Sequence, residues 1–151
     1  MRGEFTILLA EDDDGHATLI RRNIERTQLK AELIRMRDGQ TLLDWLSSNS
    51  RVLSSGARIL VLLDISMPRV DGMEVLRRIK GDPATRFIPV YMLTTTDNPV
   101  EIDRCFALGC NAYLTKPVAY EAFVVAIQRL CGFLEVAQIP GISQRADNVP
   151  A

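Results

Sequence analysis

Glu11-Asp12-Asp13-Asp14 sets four acids directly after an apolar run. Carboxylates this crowded repel one another unless a cation offsets them, and a hard divalent ion such as Mg2+ takes carboxylate oxygens. Simpler chemistry accounts for Asp13 or Asp14, whose side-chain oxygen can cap the first turn of a following helix. Asp64 closes another apolar run, in Leu62-Leu63-Asp64-Ile65-Ser66-Met67-Pro68. It either caps the turn before Pro68 or adds a nucleophile able to form an aspartyl-phosphate. Thr94-Thr95-Thr96 ends a further run; its hydroxyls either suit a strand end or hydrogen-bond a phosphoryl oxygen. Lys116-Pro117 ends another. Lys30, Lys80 and Lys116 are the only lysines among 18 basic residues. In an arginine-rich chain, a lysine here favours a compact point charge over a guanidinium fork. A cis bond to Pro117 would aim it inward.

These residues act together only if a scaffold brings the ends of separate apolar runs to one edge. Short β-rich runs alternate with helical stretches five times. Strands are expected at 5–10, 31–36, 59–63, 88–93 and 112–114. Helices are expected at about 15–28, 41–46, 74–79, 100–108 and 120–134, with 47–57 as a long linker before the third strand. Ile59 to Leu63 is apolar throughout, as a central parallel strand buried on both faces requires. Tyr120, Phe123, Val124, Ile127, Leu130, Cys131 and Leu134 recur at threes and fours, the pattern of an amphipathic helix. Five such units imply an α/β fold, a doubly wound parallel sheet with five helices over its two faces. Ligands of such sheets bind beyond the carboxyl ends of the strands. The acids, Asp64, Thr94 and Lys116 all fall on that edge.

A chain of 151 residues suits one domain. We expect it over 1–137, with a disordered tail at 138–151 that is polar and aperiodic. The net charge of −1 supplies no positive field for nucleic acid. No run approaches the roughly 20 apolar residues of a membrane span, and Met1-Arg2-Gly3-Glu4 is unlike the start of a signal peptide. Cys105, Cys110 and Cys131 are odd in number and lack a CxxC spacing, which reads as reduced thiols in the cytoplasm.

As a set, the motifs resemble the receiver domain of two-component response regulators. They are Ile7-Leu8-Leu9-Ala10-Glu11-Asp12-Asp13, Leu63-Asp64-Ile65-Ser66-Met67-Pro68 with Asp71-Gly72, Leu93-Thr94-Thr95, and Tyr113-Leu114-Thr115-Lys116-Pro117. The resemblance runs from about Ile7 to Leu134. It implies a flavodoxin-like sheet of strand order 2-1-3-4-5. It further implies Asp64 as phosphoacceptor from a sensor histidine kinase, with Mg2+ held by Glu11, Asp12, Asp64 and the backbone carbonyl of Ser66. Thr94 corresponds to the switch hydroxyl, Lys116 to the phosphate-contacting lysine and Tyr113 to the switch aromatic. Such a protein is no enzyme in the ordinary sense; it catalyses only its own phosphorylation and dephosphorylation. It signals by a conformational change and protein–protein binding.

Two departures qualify the pattern. The acidic pair is Glu-Asp, which lengthens one metal arm. Ser66 and Thr96, two residues beyond Asp64 and Thr94, offer no amide or carboxylate to orient water, so a long-lived phosphoryl group is expected. No output domain fits after Leu134. The linker 47–57, Lys80-Gly81-Asp82-Pro83 with Ile88-Pro89-Val90, and the Thr94 segment look like small receivers paired with phytochrome-type histidine kinases. Those often dimerise through the fourth helix, fifth strand and fifth helix. Phe106, Cys105 and the aromatics of the last helix could serve that face, although core packing is expected for most of them. His16, the sole histidine, reads as an exposed helix residue, with a kinase contact or a tuning of the site as the alternative. Other roles for the same chain are a phosphate sink or relay intermediate and a phosphate-independent interaction module. A haloacid-dehalogenase-like phosphatase needs a second Asp where this chain has Ser66.

Overall fold

A computed structural model of the chain describes residues 5–137. The tail expected at 138–151 lies outside the described residues. Five strands form one parallel sheet of order β2-β1-β3-β4-β5. They are β1 (Phe5–Ala10), β2 (Ala31–Met36), β3 (Ile59–Leu63), β4 (Val90–Thr94) and β5 (Ala112–Thr115). The helices are α1 (Asp14–Arg26), α2 (Gly39–Ser48), α3 (Ser50–Ser54), α4 (Gly72–Gly81), α5 (Pro99–Leu108) and α6 (Tyr120–Val136).

The period-two geometry of strands sorts the core onto two faces. Leu8, Val61, Leu63 and Met92 point to one face and pack with α2, α3, α4 and α5. Ile7, Leu9, Leu60 and Leu62 point to the other, against α1 and α6. β3 is buried at all five positions, as its uninterrupted apolar run requires. Each such side chain contributes roughly 1.5–3 kcal/mol on leaving water.

The structure departs from the sequence expectation in the 47–57 segment and at the start of β4. Six helices stand where five were expected, because 47–57 is not a linker: α3 occupies part of it and buries Leu53. Asn49 interrupts the helical path at φ −116°, ψ 37°. Its amide donates to the Trp45 carbonyl at 2.7 Å. β4 begins at Val90 rather than Ile88, since the Ile88 amide closes a turn on Thr85 and Pro89 has no N–H for a ladder. Of the two caps the sequence offered for α1, Asp13 is the one used, accepting from the His16 amide at 2.9 Å. No described peptide is cis, so Lys116 reaches inward through a trans bond to Pro117. The three cysteines are free and buried, and burial raises the thiols of Cys105 and Cys131 to about 11.

Register brings the chemistry-bearing residues together. Ala10 pairs with Leu63 and Leu63 with Met92, so β1 and β3 end side by side. The Asp64 amide extends that ladder onto the Ala10 carbonyl at 3.1 Å, and the Lys116 amide reaches the Thr94 carbonyl at 2.7 Å. Gly72, the first residue of α4, lies under this edge. A Cβ there would stand 2.0 Å from the Asp64 carbonyl oxygen and 2.8 Å from the Ile65 Cα. Backbone cannot yield as a flexible side chain can, so Gly72→Ala must push α4 away from the Asp64 segment. The expected loss is about 2–3 kcal/mol of stability, read from urea unfolding; an unchanged midpoint would contradict the contact.

Candidate functional site

Glu11 follows β1, Asp64 follows β3, Thr94 ends β4 and Lys116 follows β5, all buried. The Lys116 ammonium donates to Glu11 Oε1 and, at 3.2 Å, to Asp64 Oδ2. Burial raises the Glu11 carboxyl to about 7, against the opposing pull of Lys116. Asp12 is exposed, and carboxylate oxygens of Glu11, Asp12 and Asp64 lie within 4.8 Å of one another. Three carboxylates against one ammonium make this a negative concavity. An all-oxygen donor set with charge to spare fits a hard divalent cation. The Ser66 amide donates to Asp64 Oδ1 at 3.3 Å, which folds the 64–66 segment back on the carboxylate.

Thr94 is fully buried and its hydroxyl has no hydrogen-bond partner. Leaving such a group unpaired costs about 1–3 kcal/mol, so the hydroxyl stands ready for an acceptor oxygen. Tyr113, one register position before the Leu114 that pairs with Leu93, is half-buried. Its hydroxyl donates to the Thr96 carbonyl at 2.6 Å. Burial raises the phenol to about 12, which keeps the donating proton in place.

Sequence reasoning missed Arg35 and Arg37 and ranked one other member of this neighbourhood, His16, the wrong way round. Arg35, near the end of β2, donates from Nε to the Glu11 carbonyl at 2.8 Å and from Nη1 to Asp14 at 2.9 Å. Arg37 pairs with the same Asp14 at 2.7 Å. The two arginines therefore tether the acidic loop, and the available signal was an Arg one residue before the end of β2. For His16 the structure favours the alternative reading, a residue that touches the site. It was expected as an exposed helix residue, but its Nδ1 lies 3.2 Å from the Lys116 ammonium and its ring packs edge-on against Phe123.

The model of the response regulator receiver domain family matches residues 7–128. The chain belongs to that family. A receiver domain from Rhodospirillum rubrum shares 46% identity over 90% of this chain and 97% of its own, at a TM-score of 0.84. Response regulator Rcp1 of Synechocystis sp. is 33% identical over 89% of this chain and 92% of its own. Its Mn2+-bound crystal form superposes over 90% of this chain and 99% of its own at a TM-score of 0.82. The phosphorylated cyanobacterial phytochrome response regulator RcpA shares 29% identity over 91% and 99% of the two chains, at 0.81. Receivers of this kind are signalling proteins rather than classical enzymes, and the flavodoxin-like strand order matches these neighbours.

On the receiver's α5–β5–α6 side, the expectation of core packing for the aromatics is only half met. Phe123 and Cys105 are buried, the latter with its thiol 3.6 Å from the Met73 sulfur. Phe106, Tyr120 and Phe133 are exposed, so they are not core residues. Among the described residues no helix is long and apolar enough to cross a membrane.

Replacing the unpartnered Thr94 hydroxyl by a methyl of the same shape removes a cost and no bond. Thr94→Val is therefore expected to leave thermal stability unchanged or slightly raised in the untreated protein. A loss above about 1 kcal/mol, the worth of an ordinary hydrogen bond, would show that the hydroxyl is already satisfied.

Proposed function

We propose that this receiver accepts a phosphoryl group on Asp64 from the phosphohistidine of a sensor histidine kinase and signals through the resulting change of shape. The observation that carries the reading is the junction of Asp64 and Lys116 beside the unpartnered Thr94 hydroxyl. An Asp64 carboxylate oxygen attacks phosphorus, the P–N bond to the donor imidazole breaks, and its electron pair returns to that nitrogen. Lys116 holds positive charge where the transferring oxygens gather it, so catalysis is positioning and electrostatics. Mg2+ is the proposed cation, with Glu11, Asp12, Asp64 and the backbone carbonyl of Ser66 as its ligands. When bound, it offsets phosphoryl charge and lowers the repulsion among the carboxylates.

The three acceptor oxygens of the new group then offer Thr94 the partner it lacks. Drawing Thr94 toward Asp64 alters the space beside Tyr113, whose hydroxyl is bound two residues along the same segment. The likeness to a phytochrome response regulator supports a phytochrome-type kinase as the source of the phosphoryl group. The exposed Phe106 and Tyr120 support pairing through α5, β5 and α6. Three free buried thiols suit the reducing cytoplasm. Ser66 and Thr96 present no amide or carboxylate to hold a hydrolytic water, so the aspartyl-phosphate is long-lived.

Intact-protein mass after exposure to acetyl phosphate tests both statements. The expected result is one phosphoryl adduct, dependent on Mg2+ and absent from Asp64→Asn, that decays over hours once the donor is removed. No adduct under any condition would leave a phosphate-independent binding module. An adduct lost within seconds would overturn the proposed lifetime while sparing the acceptor.

A further inference from the structure

We propose that His16 is a positioning residue for phosphoryl transfer, its Nδ1 serving as the third acceptor that fixes the Lys116 ammonium over Asp64. This deepens the reading above and rests on it. An ammonium carries three N–H bonds and no lone pair. Three acceptors surround Lys116 Nζ: Glu11 Oε1, Asp64 Oδ2 at 3.2 Å and His16 Nδ1 at 3.2 Å. Because the ammonium can only donate, this contact is a hydrogen bond when the lone pair of the ring faces it from Nδ1. The nearest other charged neighbours of Nδ1 are farther away, Glu11 Oε1 at 3.9 Å and Asp13 Oδ2 at 4.0 Å.

The ring is held from two directions. The backbone amide of His16 is pinned by the Asp13 cap at 2.9 Å, which fixes the base of the side chain. Phe123, buried in α6, meets the ring edge-on with centroids 4.9 Å apart and planes at 74°. Nζ already lies nearer Glu11 than Asp64, and with the two carboxylates alone nothing limits its swing about that contact. A neutral acceptor on its third side fixes its direction without adding a negative charge that would compete with the arriving phosphoryl oxygens. Displacing a reacting group by about 1 Å costs up to roughly a hundredfold in rate, so loss of one of three anchors is expected to cost about tenfold.

Rates of adduct formation with acetyl phosphate, at saturating Mg2+, are compared for wild type, His16→Leu, His16→Gln and His16→Asn. The Asn amide oxygen falls where Nδ1 stands, whereas that of Gln falls nearer Nε2. The proposal expects the maximal rate of Leu and Gln to drop about tenfold with an unchanged half-saturating donor concentration, and Asn to stay within about threefold of wild type. Leu as fast as wild type, or Asn as slow as Leu, would overturn it. A second readout needs no phosphoryl transfer: the 15N-resolved ammonium signal of Lys116 in Mg2+-free protein, visible where hydrogen bonds slow exchange with water. It should survive in Asn and vanish in Leu; its persistence in Leu would overturn the proposal. If wild type takes no phosphoryl group, the proposed function falls and this signal alone decides the role of His16.

Discussion

A buried ammonium shared between two buried carboxylates is the interaction around which the rest of the molecule is arranged. Lys116 is 3% exposed, Glu11 1% and Asp64 7%, and they arrive from three different strands. Burying such charges costs several kcal/mol each, and removing one partner leaves the others uncompensated. The cost is tolerable only if all three arrive in register. A parallel sheet meets that demand, because β1, β3 and β5 run the same way and end at one edge. Arg35 adds a fourth strand to the arrangement by holding the Glu11 carbonyl, so even the edge strand β2 serves the site.

The same arrangement is incomplete by its own accounting. Glu11 is raised to about 7 by burial, with the Asp64 charge adding to the rise and Lys116 opposing it. Thr94 is buried with an idle hydroxyl. The first deficit calls for positive charge, the second for an acceptor oxygen. A divalent cation and a phosphoryl group meet both, and no single apolar ligand meets either. The physical chemistry of the untreated protein thus points to the same pair of guests as the receiver family it belongs to.

How much of this was legible depended on whether a residue's meaning was local. Asp64, Thr94 and Lys116 each end an apolar run, so a reading of run boundaries was enough to place them on one edge. The expected end of a helix at 108 holds, and Gly109 closes it at φ 107°, a conformation glycine adopts without strain. The α3 turn was not: Ser and Asn carry weak helical signal, and burial of Leu53 against the core decides it. The site contact of His16 stood only as an alternative, and Arg35 went unread, for a different reason. Their partners lie 100 and 24 positions away in sequence, and periodicity says nothing about contacts across strands. The aromatics of α6 divide likewise, Phe123 inward and Phe133 outward, by a rotation that hydrophobicity alone does not resolve.

In the proposed reading, the Thr94–Thr96 segment links the chemistry to a change of shape. At one end a hydroxyl lacks a partner; two residues on, a carbonyl is held by Tyr113 at 2.6 Å. Any movement of Thr94 must therefore either drag the Tyr113 ring along or break a short hydrogen bond in a half-buried setting. Both alternatives reach β5, next to the α5 surface where Phe106 is exposed. A modified Asp64 can shift that balance only by the free energy with which it prefers one position of Thr94 over the other. The unpaired hydroxyl adds to that preference, since satisfying it recovers about 1–3 kcal/mol lost in the resting state. Had Thr94 been bonded at rest, the new bond would merely replace an old one, and the segment would have little reason to move.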